Sequence, residues 1–298
     1  MTISSTLRFS AWEISALLRV TGVDAATFLQ GQFTNELRGR ALGEAVYGLW
    51  LNQKGKVVGD SFVILGKTAG EFFLVSYFCP AAGLKQRLED YIIADDVVVE
   101  DLTSDWVGVA LIGAGSAAWL GQQARPGMVF PGRRGKGETR EWIFPRTEWA
   151  EVRAQLVDFE AIGGAELARW RIEAGIPAVP SDIGPGDLPG EAGLESETIS
   201  YTKGCYLGQE VMARLKSMGQ VRRRLKRVAG EGEGAVPPTP AGLWQGGRQV
   251  GELRSAAETE SGFVGLAMLS LVNFQPDHAL GLTAEGAAEI RVVAEISP

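Results

Sequence analysis

The sequence predicts an α+β protein that ends in a small β-barrel. Three observations carry that expectation. Up to about residue 228, strand-like and helix-like runs alternate in an order that suits antiparallel sheets with attached helices. From Gly230 to Gly242 the chain is rich in glycine and carries Pro237, Pro238 and Pro240, which breaks every periodic pattern. Beyond it only short strand candidates remain, as a small antiparallel barrel requires. The boundary falls in that stretch, giving residues 1–229 and 230–298 as two domains.

The elements follow in order. Ser15 to Val20 reads as a strand, Gly22 makes a turn, and Asp24 is placed to cap a helix whose apolar face begins at Phe28 and Leu29. That helix closes at Gly31 to Glu36, where Gln30, Gln32 and Asn35 serve either helix-end hydrogen bonds or a ligand. Tyr47–Leu51 and Val57–Leu65 flank a glycine-bearing turn and read as a hairpin, with Glu71 to Tyr77 as a third strand. Leu84, Leu88, Tyr91 and Ile92 recur at helical spacing. Val97–Val99 and Val107–Ile112 are strands on either side of a polar turn, and Gly113 to Gly121 is a short helix.

Gly132 to Gly137 lacks the buried strand and the Lys-Ser/Thr ending of a phosphate loop, so it reads as an exposed loop before a strand at Trp142–Phe144. Thr147 then caps a helix with Trp149, Val152, Leu156 and Phe159 on one face. The next helix, from about Ala165, is ended by Gly175 and Pro177. Val221 to Val228 alternates basic and apolar residues, which suits either a solvated edge strand or a basic wall facing an anion. Strand candidates at 243–244, 249–253, 262–269 and 290–293 complete the barrel.

Composition narrows the function. The chain has 298 residues, 45% apolar and 22% charged, the balance of an ordinary globular protein of two domains. It shows neither an apolar run of about 18 residues nor the basic and apolar start of a signal peptide, so a cytoplasmic, monomeric protein without membrane partners is expected. Two cysteines and the single His278 are too few for a disulfide framework, a structural zinc site or a bound iron–sulfur cluster, and no metal site is expected. A net charge of −7 argues against DNA binding. Basic residues nevertheless crowd the stretch from Arg214 to Arg227, where an anion can bind.

The densest chemistry lies just before that stretch. Lys203-Gly204-Cys205-Tyr206-Leu207-Gly208-Gln209-Glu210 holds a cation, a thiol, a phenol, an amide and a carboxylate around two glycines. Ile199 to Thr202 has the flavour of a short strand and Gln209 to Leu215 favours helix, which puts Cys205 in the intervening turn. Backbone amides of a first helical turn and the nearby Lys203 favour a thiolate. The alternative is a buried thiol acting as a small hydrophobe.

This signature resembles that of the YgfZ-type folate-binding proteins, bacterial relatives of the mitochondrial iron–sulfur assembly factors, which are in turn similar to the T-protein (aminomethyltransferase) of the glycine cleavage system. Three further segments carry the resemblance: the Gly22 to Asn35 region, Arg171-Ile172-Glu173-Ala174-Gly175-Ile176-Pro177, and Pro189-Gly190-Glu191. It implies a ring of three subdomains, two ferredoxin-like α/β units and a C-terminal β-barrel, around a central folate channel. It implies tetrahydrofolate or a derivative as cofactor, with Glu191 on the pterin. Arg171, Lys203, Tyr206, Gln209 and Arg223 are the further cofactor-binding candidates, with an internal ion pair as the alternative for Arg171.

It implies Cys205 and Asp60 as the catalytic candidates. Where the T-protein strand carries Gly-Gly-x-x-Asp-Asp, this chain reads Gly55-Lys56-Val57-Val58-Gly59-Asp60, so one acidic residue is replaced by Gly59. A lone Asp60 weakens aminomethyl transfer, which needs a placed carboxylate. The resemblance thus favours a folate-binding accessory protein for iron–sulfur cluster assembly or repair. Its partners would be assembly proteins or client enzymes, with an indirect link to tRNA modification. A folate-dependent one-carbon transferase is the alternative.

Overall fold

The computed structural model describes residues 7–123, 125–231 and 236–295. The first half runs β1 (Arg8–Trp12), β2 (Ala16–Thr21), α1 (Ala25–Gln32), β3 (Ala45–Leu51), β4 (Val57–Leu65), β5 (Phe72–Ser76), α2 (Ala81–Glu89), β6 (Val98–Asp101), β7 (Trp106–Ile112), α3 (Ser116–Gln122), β8 (Met128–Pro131) and β9 (Thr139–Pro145). Then come α4 (Trp149–Gln155), β10 (Glu160–Ala161), α5 (Gly164–Glu173), α6 (Glu195–Thr198), α7 (Gln209–Met218), β11 (Arg223–Glu231), β12 (Ala241–Gln245), β13 (Arg248–Thr259), β14 (Gly262–Ser270), β15 (Leu280–Gly281) and β16 (Ala288–Glu295).

The strands form two five-stranded sheets, ordered β3-β4-β5-β2-β6 and β10-β1-β7-β9-β8, and a closed barrel β11-β14-β13-β12-β15-β16. Strand periodicity assigns the faces. In β4, Phe62 and Ile64 point to one side and Val63 to the other, because successive side chains alternate across a sheet. Phe62, Ile64, Leu17 and Val75 meet Phe130 and Ile143 of the second sheet, so the two sheets pack face to face. Val63, Leu18 and Leu74 lie under α1 and α2 through Phe28, Leu29, Leu84 and Leu88. Val107, Val109, Leu111 and Trp142 are covered in the same way by Leu120 of α3 and Val152 of α4. Sheets buried on both faces read as continuous apolar runs, which is why β4 and β7 stand out in the sequence.

The α+β architecture of two sheet-and-helix units and a barrel is as expected, but several local expectations are corrected. β6 pairs with β2 in the first sheet while β7 pairs with β1 and β9 in the second, so the polar turn between them crosses from sheet to sheet. Asp24 stands at the N-cap of α1 without capping it; its Oδ2 instead accepts from the Asp96 amide at 2.8 Å. Ile199 to Thr202 forms no strand: Ser200 N–H reaches the Thr34 carbonyl at 3.0 Å, with no ladder around it. β11 is no edge strand, being paired on one side with β14 and on the other with β16. It runs through Glu231, so the barrel takes in residues on both sides of 229/230. Of the glycine- and proline-rich stretch from Gly230 to Gly242, residues 232–235 lie outside the described residues.

A further apolar cluster joins the first sheet to the barrel. Leu49, Leu51 and Val57 meet Tyr206 and Met212, and these meet Leu225, Leu266 and Met268 of the barrel. The signature sits in this junction.

Candidate functional site

The signature loop is pinned on both sides of its cysteine. On one side, the Lys203 side chain is buried and its Nζ donates to the carbonyls of Gln30 (2.8 Å), Phe33 (2.6 Å) and Asn35 (2.8 Å). These carbonyls belong to the end of α1, where the helix leaves acceptors unsatisfied and favours a cation. On the other side, Tyr206 is buried and the Leu207 amide donates to the Gly31 carbonyl at 3.1 Å. Gly208 adopts φ +86°, and a Cβ there would come within 2.9 Å of the Asn52 carbonyl oxygen, so the turn needs glycine to lie on the β3–β4 hairpin. Cys205, between these anchors, is exposed, whereas Cys79 is buried. Of the two readings of Cys205, the buried hydrophobe is therefore excluded.

Asp60 on β4 is buried. It accepts from Tyr47 Oη (2.7 Å), Ser76 Oγ (2.8 Å) and Cys79 Sγ (3.2 Å), and its own amide donates to Cys79 Sγ at 3.3 Å. Burial pushes the Asp60 carboxyl above its ordinary range, against the lowering effect of the three donors and of nearby Arg133. The Cys79 thiol is driven strongly upward by burial and by Asp60. It is a hydrogen-bonding support, held also by the Val179 carbonyl at 3.2 Å, and no counterpart of the exposed Cys205.

Sequence reasoning missed Arg133, whose charge acts on Asp60, and its neighbour Arg134. Arg133 and Arg134, in the loop read as exposed, both fold inward. Arg133 lies 3.9 Å from the Tyr47 ring centroid and makes a two-pronged pair with Glu197, Nε and Nη2 each 2.7 Å from a carboxylate oxygen. Arg134 lies 3.6 Å from the Tyr77 ring centroid and 4.4 Å from that of Trp12, with Nε 3.0 Å from Glu141 Oε1. Arginine tolerates such burial because its flat guanidinium stacks on aromatic faces while its edge pairs with a carboxylate. The available signal was two arginines between glycines in a chain whose Trp12, Tyr47 and Tyr77 had no assigned role.

The remaining candidates are engaged within the protein. Arg171 takes the internal alternative: Nη1 donates to Asp182 Oδ2 and to the Ile176 carbonyl, both at 2.7 Å, and Nη2 to Ser255 Oγ on β13 at 3.1 Å. Glu191 is buried and paired with Arg223 through Nε (3.1 Å) and Nη2 (3.0 Å), while its Oε2 also accepts from the Leu188 amide at 2.7 Å. Arg223 additionally bonds Asp187 at 3.0 Å, and its side chain remains 38% exposed. Gln209 opens α7, its amide on the Tyr206 carbonyl at 3.1 Å.

The structure therefore brings Glu191 together with Arg223, and Lys203 with Tyr206, whose ring centroid lies 5.3 Å from Lys203 Nζ. Asn35 links the latter pair to Asp60. Its carbonyl holds Lys203, and its Nδ2 donates to the carbonyls of Tyr47 (2.9 Å) and Glu197 (3.0 Å). Gln30 likewise serves the helix end, bonding Glu36 and the Leu37 amide. A cavity of about 610 Å³ beside Phe73, Trp106 and Met128 and another of about 530 Å³ beside Gly190, Tyr201, Met212 and Lys216 are lined by neither Asp60, Glu191 nor Cys205, although the second borders Glu191 through Gly190. Among the described residues no three His, Cys, Asp or Glu side chains come together as a metal site, and no helix is long and apolar enough to cross a membrane.

As a donor set this suits a folate. The buried carboxylate of Glu191 is of the kind that pairs with the N–H groups of a pterin, and Arg133 and Arg223 are of the kind that pairs with carboxylates. Phe78, between Tyr77 and Cys79, is 36% exposed and offers a ring face, 5.6 Å from the Arg171 guanidinium. Each of the charged groups already has a partner in the protein, so a ligand would have to exchange with it.

Comparison with known proteins places this arrangement. Residues 11–126 match the GCVT N-terminal domain, and residues 222–297 match the CAF17 C-terminal beta-barrel domain. The iron-sulfur cluster assembly factor IBA57, mitochondrial, of Homo sapiens is 31% identical over 277 residues, covering 85% of this chain and 74% of that protein. The tRNA-modifying protein YgfZ of Yersinia pestis (strain Pestoides F) is 27% identical over 268 residues, covering 84% and 80%. In fold, the glycine cleavage system aminomethyltransferase T from Bartonella henselae superposes with a TM-score of 0.77 at 20% identity, covering 98% of this chain and 86% of that one. With its T-protein-like architecture and its closed barrel, the chain belongs to the IBA57/YgfZ family.

Proposed function

We propose that this protein is a tetrahydrofolate-binding accessory factor for the assembly or repair of iron–sulfur clusters, working in the cytoplasm as a monomer with assembly proteins or client enzymes. Through cluster-dependent enzymes it would support tRNA modification. The relatives' names point to iron–sulfur assembly and tRNA modification. The observation that carries the reading is the contrast between two groups: an exposed Cys205 on a loop pinned at Lys203 and Leu207, and an Asp60 sealed under Tyr47, Ser76 and Cys79. A transferase needs its carboxylate at the substrate. An accessory factor that engages a cluster or a partner thiol needs its sulfur at the surface.

The test is complementation. In cells lacking the protein, Cys205→Ser is expected to leave the activity of cluster enzymes at the level of the deletion, although the purified variant folds normally. Full restoration would remove Cys205 from the mechanism. Formation of 5,10-methylene-tetrahydrofolate from an aminomethyl donor at enzymic rates would instead establish the transferase alternative.

Folate binding has its own test. Glu191→Ala is expected to weaken tetrahydrofolate binding about tenfold or more in calorimetric titration, since a carboxylate paired with ring N–H groups makes charge-assisted bonds. An unchanged affinity would place the pterin elsewhere.

A further inference from the structure

Arg133 combines features that an ordinary surface ion pair lacks. Its side chain is only 12% exposed, stacked on Tyr47, with its charge close enough to act on Asp60. Tyr77 Oη accepts from its backbone amide at 3.1 Å, which fixes the loop from below. The guanidinium is thus held in one place by groups that do not depend on Glu197. Glu197 differs: its side chain is 47% exposed. One partner is built in and the other lies at the surface. The edge of Arg133 that carries Nε and Nη2 is the two-pronged geometry by which arginine recognises a carboxylate.

We propose that Arg133 is a carboxylate-binding subsite and that Glu197 is an internal carboxylate occupying it until a ligand carboxylate takes its place. Given the folate reading above, on which this rests, the incoming group is a carboxylate of the glutamyl tail, and its capture on Arg133 sets that end of the ligand beside Tyr47. The exchange conserves charge, since one carboxylate replaces another on the same guanidinium. It also moves Glu197, whose carbonyl is held by Asn35, the residue that supports Lys203. Occupation of the subsite is therefore felt at the base of the cysteine loop.

The competition gives opposite signs for the two partners. Glu197→Gln removes the competitor, so the affinity for a carboxylate ligand rises by the factor that the internal pair had withheld. Because a partly exposed ion pair holds its side chain weakly, that factor is about two- to fivefold. Arg133→Gln removes the receiver and lowers affinity about tenfold. A plain structural strut would make both variants bind worse.

The experiment is calorimetric titration of the full chain with three probes: tetrahydrofolate, 6-methyltetrahydropterin, which has no carboxylate, and glutarate, which has no pterin. Glu197→Gln should tighten tetrahydrofolate and glutarate binding and leave the methylpterin unchanged, and adding Arg133→Gln should abolish the gain. Weaker or unaltered tetrahydrofolate and glutarate binding by Glu197→Gln would overturn the subsite, as would an equal change for the methylpterin. If the wild type binds neither pterin, the folate reading falls. Glutarate binding by Glu197→Gln, lost in the double variant, would then still establish the subsite, and its absence would remove that as well.

Discussion

Asp182→Ala is expected to cost about 3–5 kcal/mol of folding stability, the penalty for leaving a buried charge without its partner. Asp182 is fully buried and accepts from Arg171, from the Ala178 amide at 2.8 Å and from Ser255. The bonds tie the end of α5 to the loop at 178–182 and to β13 of the barrel. Alanine would leave Arg171, itself buried, with one carbonyl and one hydroxyl. Against a total stability of about 5–15 kcal/mol for a natural domain, this is a large fraction. Urea denaturation should show it as a lower midpoint. A shift below about 1 kcal/mol would mean that water reaches Arg171 when the carboxylate is gone. Replacing both partners, Arg171→Met with Asp182→Leu, should recover the part of the loss that comes from the unpaired charge, since matched apolar groups often substitute for a buried pair, while the Ala178 amide and the Ser255 hydroxyl stay without their acceptor. That rescue would identify the pair as a docking device between α5 and the barrel, and would take Arg171 out of the ligand set.

What the sequence made legible follows from the range of the interactions. β4 and β7 were visible because burial on both faces writes an apolar run into a few consecutive residues. β1, Arg8–Trp12, was not, because its five residues become a strand only by pairing with β7 about a hundred residues later. The same holds for β11: its basic alternation reads as an edge, and only closure by β16 at the end of the chain makes it interior. Ile199 to Thr202 has strand-forming residues and no neighbour to pair with, which local preference cannot reveal. Charges were harder still. Arg133 and Glu197 are 64 positions apart, and nothing near Arg133 announces that a carboxylate will meet it.

The candidate site divides along the same line. Cys205 and its glycine-flanked turn were readable because the loop is continuous in sequence, and Gly208 indeed takes the conformation that favours glycine. The environment of Asp60 was not readable, since Tyr47 comes from β3 and Ser76 and Cys79 from the end of β5 and the turn after it. Lys203 belongs to both cases. Its presence beside the thiol was visible, but its partners lie about 170 residues earlier.

Those partners make Lys203→Met the second large effect. The variant keeps the length and apolar stem of the side chain and removes only the ammonium. Three carbonyls at the end of α1 then lose a donor inside the protein, at about 1–3 kcal/mol for each group left unsatisfied. Some of this is recovered where water enters. The signature loop is expected to loosen, so that the variant fails in complementation although Cys205 is intact. Hydrogen exchange at the Leu207 amide, bonded to Gly31, should rise with it.

The charge state of the amine adds a pH signature. Burial pushes Lys203 down from 10.5 to about 8, while the three acceptors favour the protonated form. A depressed folded-state value means that between pH 8 and 10.5 the unfolded chain binds more protons than the folded one, so this group makes stability rise with pH across that window. Buried tyrosines such as Tyr47, held well above 10 in the fold, act in the opposite direction near the top of the window. The quantity to measure is therefore the stability difference between wild type and Lys203→Met at a series of pH values, in which the tyrosine contributions cancel. It should move in favour of the wild type from pH 8 upward. A move the other way would mean that the carbonyls outweigh burial and keep Lys203 charged, in which case the amine anchors the cysteine loop most firmly at neutral pH and releases it in base.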